Sequence, residues 1–82
     1  MKNRHKQVSI GKDKAIELWD SKWWVGKTNY EIAKFQLFTE ELSLPFDIFK
    51  NSMGKVLGRP IFRQEFGLNF DGLADELLTK NE

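Results

Sequence analysis

Apolar residues along the 82-residue chain recur mostly at helical spacing, with one alternating stretch near the start and one stretch that obeys neither rule. Val8 and Ile10 flank Ser9, the period of a short strand. From about Lys12 to Trp23, Ala15, Leu18, Trp19 and Lys22 share a helical face with Ile16 and Trp23 beside them, and Gly26 supplies a stop. Thr28-Asn29-Tyr30-Glu31 is a capping box: the Thr28 hydroxyl can accept from the Glu31 amide while the Glu31 carboxylate reaches back to the Thr28 amide. A second helix follows to about Glu41. Its stripe of Tyr30, Ala33 and Leu37 is widened by Ile32, Phe35 and Phe38, which implies contact on more than one side.

The clearest amphipathic stretch comes next. Ser43-Leu44-Pro45 opens it, because proline is tolerated where an amide would be unbonded anyway. Phe46, Phe49, Met53 and Val56 then fall at spacings of three, four and three, with Leu57 alongside. Gly54 costs about 1 kcal/mol inside this helix, so a neighbouring element is expected to pass close by. Gly58 ends the helix and Pro60 prevents continuation. Residues 59–66 match neither period, are read as extended, and are paired in this reading with residues 6–10. Asn69 can cap a last helix from about Phe70 to Thr79, with Phe70, Leu73 and Leu77 facing inward. The expected fold is therefore mainly α (α+β): a compact three-to-four-helix domain with a helix-turn-helix-like centre and room for a short two-stranded sheet. The expected organisation is a flexible basic head at 1–7 and one globular domain at 8–80.

Composition sharpens this picture at two points. Seven Phe, three Trp and one Tyr could fill most of a small core, since each can bury about 150–250 Å². Cysteine is absent, which excludes disulfides and thiolate metal sites and fits a reducing compartment, here the cytoplasm. No apolar run is long enough for a signal peptide or a membrane span. The net charge of +1 selects neither nucleic acid nor membrane in bulk, but residues 1–14 carry +4 and residues 67–82 carry −3. Solvated chain ends account for such a split equally well.

The inventory of reactive groups argues against an enzyme. The one histidine, His5, lies in the polar head, so neither a Cys/His nor a Ser/His arrangement is available. Glu40/Glu41 and Asp75/Glu76 are adjacent pairs, which diverge by about 100° on a helix and read as solvated surface. Asp71 and Asp75 have nothing nearby to complete an oxygen cage, and Gly54-Lys-Val-Leu-Gly58 lacks phosphate-loop spacing. Neither a cofactor nor a metal is expected.

Binding is the remaining class. Trp19 and Trp23 can share a face, so Trp24 points elsewhere and is a candidate anchor, although a rim position in the core would explain it too. Arg59, Phe62, Arg63 and Glu65 interleave charge with aromatic rings beside a proline-fixed turn, a pattern that suits a recognition loop or a plain surface strand. A protein partner is thus expected to meet Trp24, Arg59, Phe62, Arg63 and Glu65, with the acidic tail second. In a winged-helix-like DNA binder, helix three would instead offer Lys50, Asn51 and Lys55, helped by Lys2, Arg4 and Lys6 of the head. That set is thin for neutralising phosphates. A third reading buries the surplus rings at a homo-oligomer interface.

Between residues 23 and 66 the chain resembles a group of small phage and prophage accessory proteins. The matching features are Trp23-Trp24, the Ile-Ala-x-Phe-Gln-Leu stretch from Ile32 to Leu37, Leu-Pro-Phe-Asp-x-Phe from Leu44 to Phe49, and Leu-Gly-Arg-Pro-Ile from Leu57 with Glu65-Phe66 following. They span about half the chain. The group often has histidine where this chain has Lys50 and Gln64, so histidine-dependent chemistry would not carry over. The resemblance implies a phage accessory protein working in the host bacterial cytosol and brings no assigned activity. Such proteins frequently block host machinery, which makes an anti-CRISPR-like inhibitor the expected type.

Overall fold

Residues 5–80 are described in a computed structural model of the chain. Their elements run α1 (Lys12–Ser21), α2 (Asn29–Leu37), α3 (Phe46–Leu57), α4 (Glu65–Leu68) and α5 (Phe70–Lys80). The fold is mainly α. Residues 1–4 and 81–82 lie outside the described residues, and with them the Lys2 and Arg4 expectations.

The core is a three-helix arrangement. α2 packs most extensively on α3, and α5 closes over both. Ile32, Ala33 and Leu37 of α2 meet Phe49, Met53 and Leu57 of α3 and Phe70, Leu73, Ala74 and Leu77 of α5, with Leu44 and Ile61 filling from the connections. These positions keep helical spacing on each element, so each helix presents one apolar face inward. α4 is a single turn braced against α5. Its Phe66 meets Phe46 edge to face and Phe49 at a tilt, with ring centroids 5.4 and 4.9 Å apart.

The local signals account for most boundaries. Thr28 Oγ accepts from the Glu31 amide at 3.1 Å, and the Glu31 carboxylate accepts from the Thr28 amide at 3.0 Å, so the capping box is formed. α3 starts one residue after Pro45 and ends at Gly58, whose φ of 72° is the left-handed conformation that favours glycine. Gly54 does admit a close neighbour: a Cβ there would sit 3.2 Å from the Arg59 carbonyl oxygen.

Three expectations are corrected. Helix one ends at Ser21, not Trp23, because Lys22 takes the left-handed conformation itself and its amide bonds back to the Trp19 carbonyl. Helix two ends at Leu37, not near Glu41: the Thr39 hydroxyl donates to the Phe35 carbonyl, which satisfies a terminal acceptor without another turn. Residues 59–66 are not an extended partner for residues 6–10. The chain turns at 62–64 into α4, and Val8 instead forms a lone parallel bridge with Thr39, its amide donating to Phe38 O and its carbonyl accepting from Glu40 N. Among the described residues this bridge is the whole of the β structure.

Candidate functional site

An apolar groove of about 650 Å³ opens on the surface. One wall is the outward face of α2, where Glu31, Lys34, Phe35 and Phe38 follow the helical repeat beside Tyr30. The other wall is the extended segment carrying Val8 and Ile10. Val8 is 64% exposed and Phe35 39%. Lys34 Nζ lies 5.8 Å from the centre of the Tyr30 ring and has no carboxylate within ion-pair distance among the described residues.

Polar contacts hold the extended wall in place. The His5 amide donates to Asp71 at 3.0 Å, and His5 Nε2 lies 2.8 Å from an Asp75 oxygen. Gln7 Nε2 donates to the Leu37 carbonyl at 3.0 Å. The Ser9 hydroxyl and the Ile10 amide both donate to the Glu41 carboxylate, at 2.6 and 2.9 Å. These two donors, the hydroxyl first, hold the Glu41 carboxyl below its ordinary pKa. Residues 5–7, assigned to the head from sequence, thus carry contacts to α5 and to the end of α2.

A chain of rings runs from this groove to α1. Phe35 meets Trp23 at 4.8 Å between centroids, Trp23 meets Trp24 at 6.4 Å, and Trp24 meets Trp19 at 6.4 Å, each edge to face. Trp23 Nε1 donates to the Ser43 carbonyl at 3.0 Å, which fixes the middle of the chain. Trp19 at one end is 40% exposed. Trp24 is half-buried between its two neighbours.

The other sequence candidates separate. Arg59 and Glu65 come together, but with each other: Arg59 donates to both Glu65 oxygens, at 3.2 and 3.0 Å, and to Glu76 on α5 at 3.0 Å. The Glu65 bonds, then those of Glu76, raise the Arg59 pKa above its usual value. Glu65 also accepts from the Phe62 amide, and its own carboxyl is lowered, chiefly by Arg59. Their charges are spent on closing the 59–65 turn. The Arg63 guanidinium lies 4.9 Å over the Phe46 ring. Phe62 stands 64% exposed and lines a smaller cleft of about 380 Å³ with Lys50, Asn51 and Lys55. Lys6 is exposed.

Sequence reasoning did not single out Gln36. It is buried, its Oε1 accepting from the Ser43 amide and hydroxyl at 2.9 and 2.8 Å while Nε2 donates to the Glu41 carbonyl at 2.9 Å. One amide side chain therefore organises the 39–44 connection that presents Glu41. A glutamine beside Phe35 and Leu37 in an otherwise apolar arc was the available signal.

No protein-family model matches the chain, and comparison with the curated proteins and with the solved structures finds no match.

Proposed function

We propose that the protein is a phage accessory module that binds another protein and acts by docking, with a host defence complex such as a CRISPR effector as the class of target and the bacterial cytosol as the place of action. The observation that carries this reading is the ring chain from Trp19 to Phe35, which opens into the apolar groove. Large apolar surface left in contact with water marks interaction sites, and tryptophan is a preferred anchor in them. Trp24 keeps its proposed role as part of this face. Phe62 and Arg63 stand as a secondary contact, whereas Arg59 and Glu65 act by holding the turn that displays them.

The test is capture from a host lysate with the full chain as bait, run beside Phe35→Ser and Trp24→Ala variants checked for helicity by circular dichroism. A stoichiometric protein recovered by the parent and lost with the folded variants supports the reading. Recovery of no such protein, or equal recovery by all three baits, overturns it.

A second reading is a DNA-binding regulator with a helix-turn-helix-like centre, favoured by the cleft that gathers Lys50, Asn51 and Lys55 along α3. The connection from Phe38 to Pro45 is longer than the usual turn of about 3–4 residues between such helices, and Arg59, which lines the same cleft, is already paired with Glu65 and Glu76. Duplex binding that falls steeply with salt and is weakened by Lys50→Ala and Lys55→Ala would favour this reading. Absence of any shift at low salt removes it.

A further inference from the structure

We infer that a second copy of this chain occupies the groove in the isolated protein, with α1 of each copy seated in the groove of the other across a two-fold axis. This inference rests on the docking reading of the exposed ring face and gives that face a partner.

The first observation concerns α1 itself. Among the described residues it packs against no other helix. Only Ala15 is buried, while Ile16 is 49% exposed and Trp19 40%. A ten-residue helix is marginal in water without tertiary support. A partner surface that covers Ile16 and Trp19 would supply that support.

The second observation is charge. Asp13, Glu17 and Asp20 lie at i, i+4 and i+7, an acidic stripe along one face of α1, and Ile16 borders it at three and four residues from its ends. Lys14 pairs weakly with Glu17 at 3.6 Å, and both are exposed. Asp13 and Asp20 have no cation within ion-pair distance among the described residues. The groove offers an apolar floor with the Lys34 ammonium on its rim, over the Tyr30 ring; the other charge lining it, the Glu31 carboxylate, is turned to the Thr28 amide. Ile16 and Trp19 entering the floor would bring the acidic stripe to that ammonium.

The third observation is placement. A two-fold contact requires one self-complementary patch on each copy, so projection and groove must adjoin. They do: α1 begins two residues after the groove wall at Ile10, and Trp19 near its end is tied through Trp24 and Trp23 to Phe35 on the opposite wall. One copy therefore presents both halves of the contact side by side.

Sedimentation of the full chain over a concentration series tests this. The expected result is a mass rising with concentration from 9.6 kDa toward twice that value. Lys34→Glu places like charges across the contact and should weaken the dimer by about tenfold or more. Glu17→Lys with Asp20→Lys should do the same, and the three changes together should restore association to within about threefold of the parent. Ile16→Asp, at an exposed position, should leave a folded monomer. A single 9.6 kDa species throughout, or a dimer indifferent to Lys34→Glu and Ile16→Asp, overturns the inference. A monomer that still captures a host protein through Phe35 defeats self-association alone. A dimer broken by these variants but unable to capture any partner defeats the hetero-docking reading alone.

Discussion

Leu73 on α5 and Trp19 on α1 are both large apolar residues on the inner arc of an amphipathic helix, yet Leu73 is fully buried and Trp19 keeps 40% of its surface. The difference lies in what each helix has to pack against. α5 meets α2, α3 and α4, whereas among the described residues α1 meets no helix and is held at its ends by the Ser9–Glu41 contacts and by the tryptophan chain. Amphipathic spacing therefore predicts a face that seeks cover, and the rest of the chain decides whether cover exists. Truncation sharpens this contrast most. Leu73→Ala should cost about 3 kcal/mol or more in urea unfolding, in the range of core deletions that leave a cavity. Ile16→Ala, half exposed, should cost under about 1 kcal/mol in the same experiment. Equal losses would mean that α1 is an integral part of the core.

The second test falls on the joint between these regions. Gln36→Leu puts an apolar side chain of similar size in place of the amide and leaves the Ser43 amide and the Glu41 carbonyl without their partner. Unpaired buried groups cost about 1–3 kcal/mol each, so a loss of about 3 kcal/mol is expected by denaturant unfolding, second to the core truncation in effect. The loss should come with reduced burial of Trp23, whose ring nitrogen bonds the Ser43 carbonyl. A red shift of tryptophan emission would report it.

The legible parts of the molecule are those fixed within one turn of chain. The capping box at Thr28, the proline start of α3 and its glycine end are written in adjacent residues, and the structure reproduces them. The apolar repeats also name Phe49, Met53 and Leu57 of α3 and Phe70, Leu73 and Leu77 of α5 as buried, while Phe46 and Val56 of the α3 stripe are only half-buried. The 59–66 segment was misread because its conformation is set from a distance: Glu76, on another helix, holds Arg59, and Glu65 reaches back to the Phe62 amide. The groove was invisible for a similar reason. Val8 and Ile10 are far from Phe35 in sequence, and the Val8–Thr39 bridge with the Gln7, Ser9 and Ile10 hydrogen bonds brings them together. Individual aromatic candidates could be named from sequence, whereas the surface they form could not.

A smaller effect is expected from the Arg59 cluster, because its members remain partly open to water and solvent screens their attraction. Arg59→Ala should lower the unfolding midpoint less than Gln36→Leu. It should mainly loosen the turn, seen as faster hydrogen exchange at the Glu65 and Phe66 amides, which bond to Phe62 and Arg63. Capture of a partner through Phe35 should persist. If that capture is lost while helicity is kept, the docking face extends to the 59–65 turn and the contrast between the two regions has been drawn in the wrong place.

The gentlest perturbation is acid, and it should act on the α1 side first. Glu41 is held below its ordinary pKa by the Ser9 hydroxyl and the Ile10 amide, both of which need the carboxylate as acceptor. A carboxyl with a lowered folded pKa contributes stability that is fully present above its unfolded pKa and is lost as pH falls through the folded value. Protection of the Ile10 amide should therefore be constant at neutral pH and decline on acidification through and below the ordinary carboxylate range. Glu31 and Glu65 are lowered as well, so a global melting curve would mix three sites; the Ile10 amide isolates one of them. In Glu41→Gln the Ile10 amide should exchange faster at neutral pH and lose its acid dependence, while the core amide of Leu73 on α5 stays as protected as in the parent. If Ile10 and Leu73 lose protection together on acidification, the extended wall and the helical core unfold as one unit.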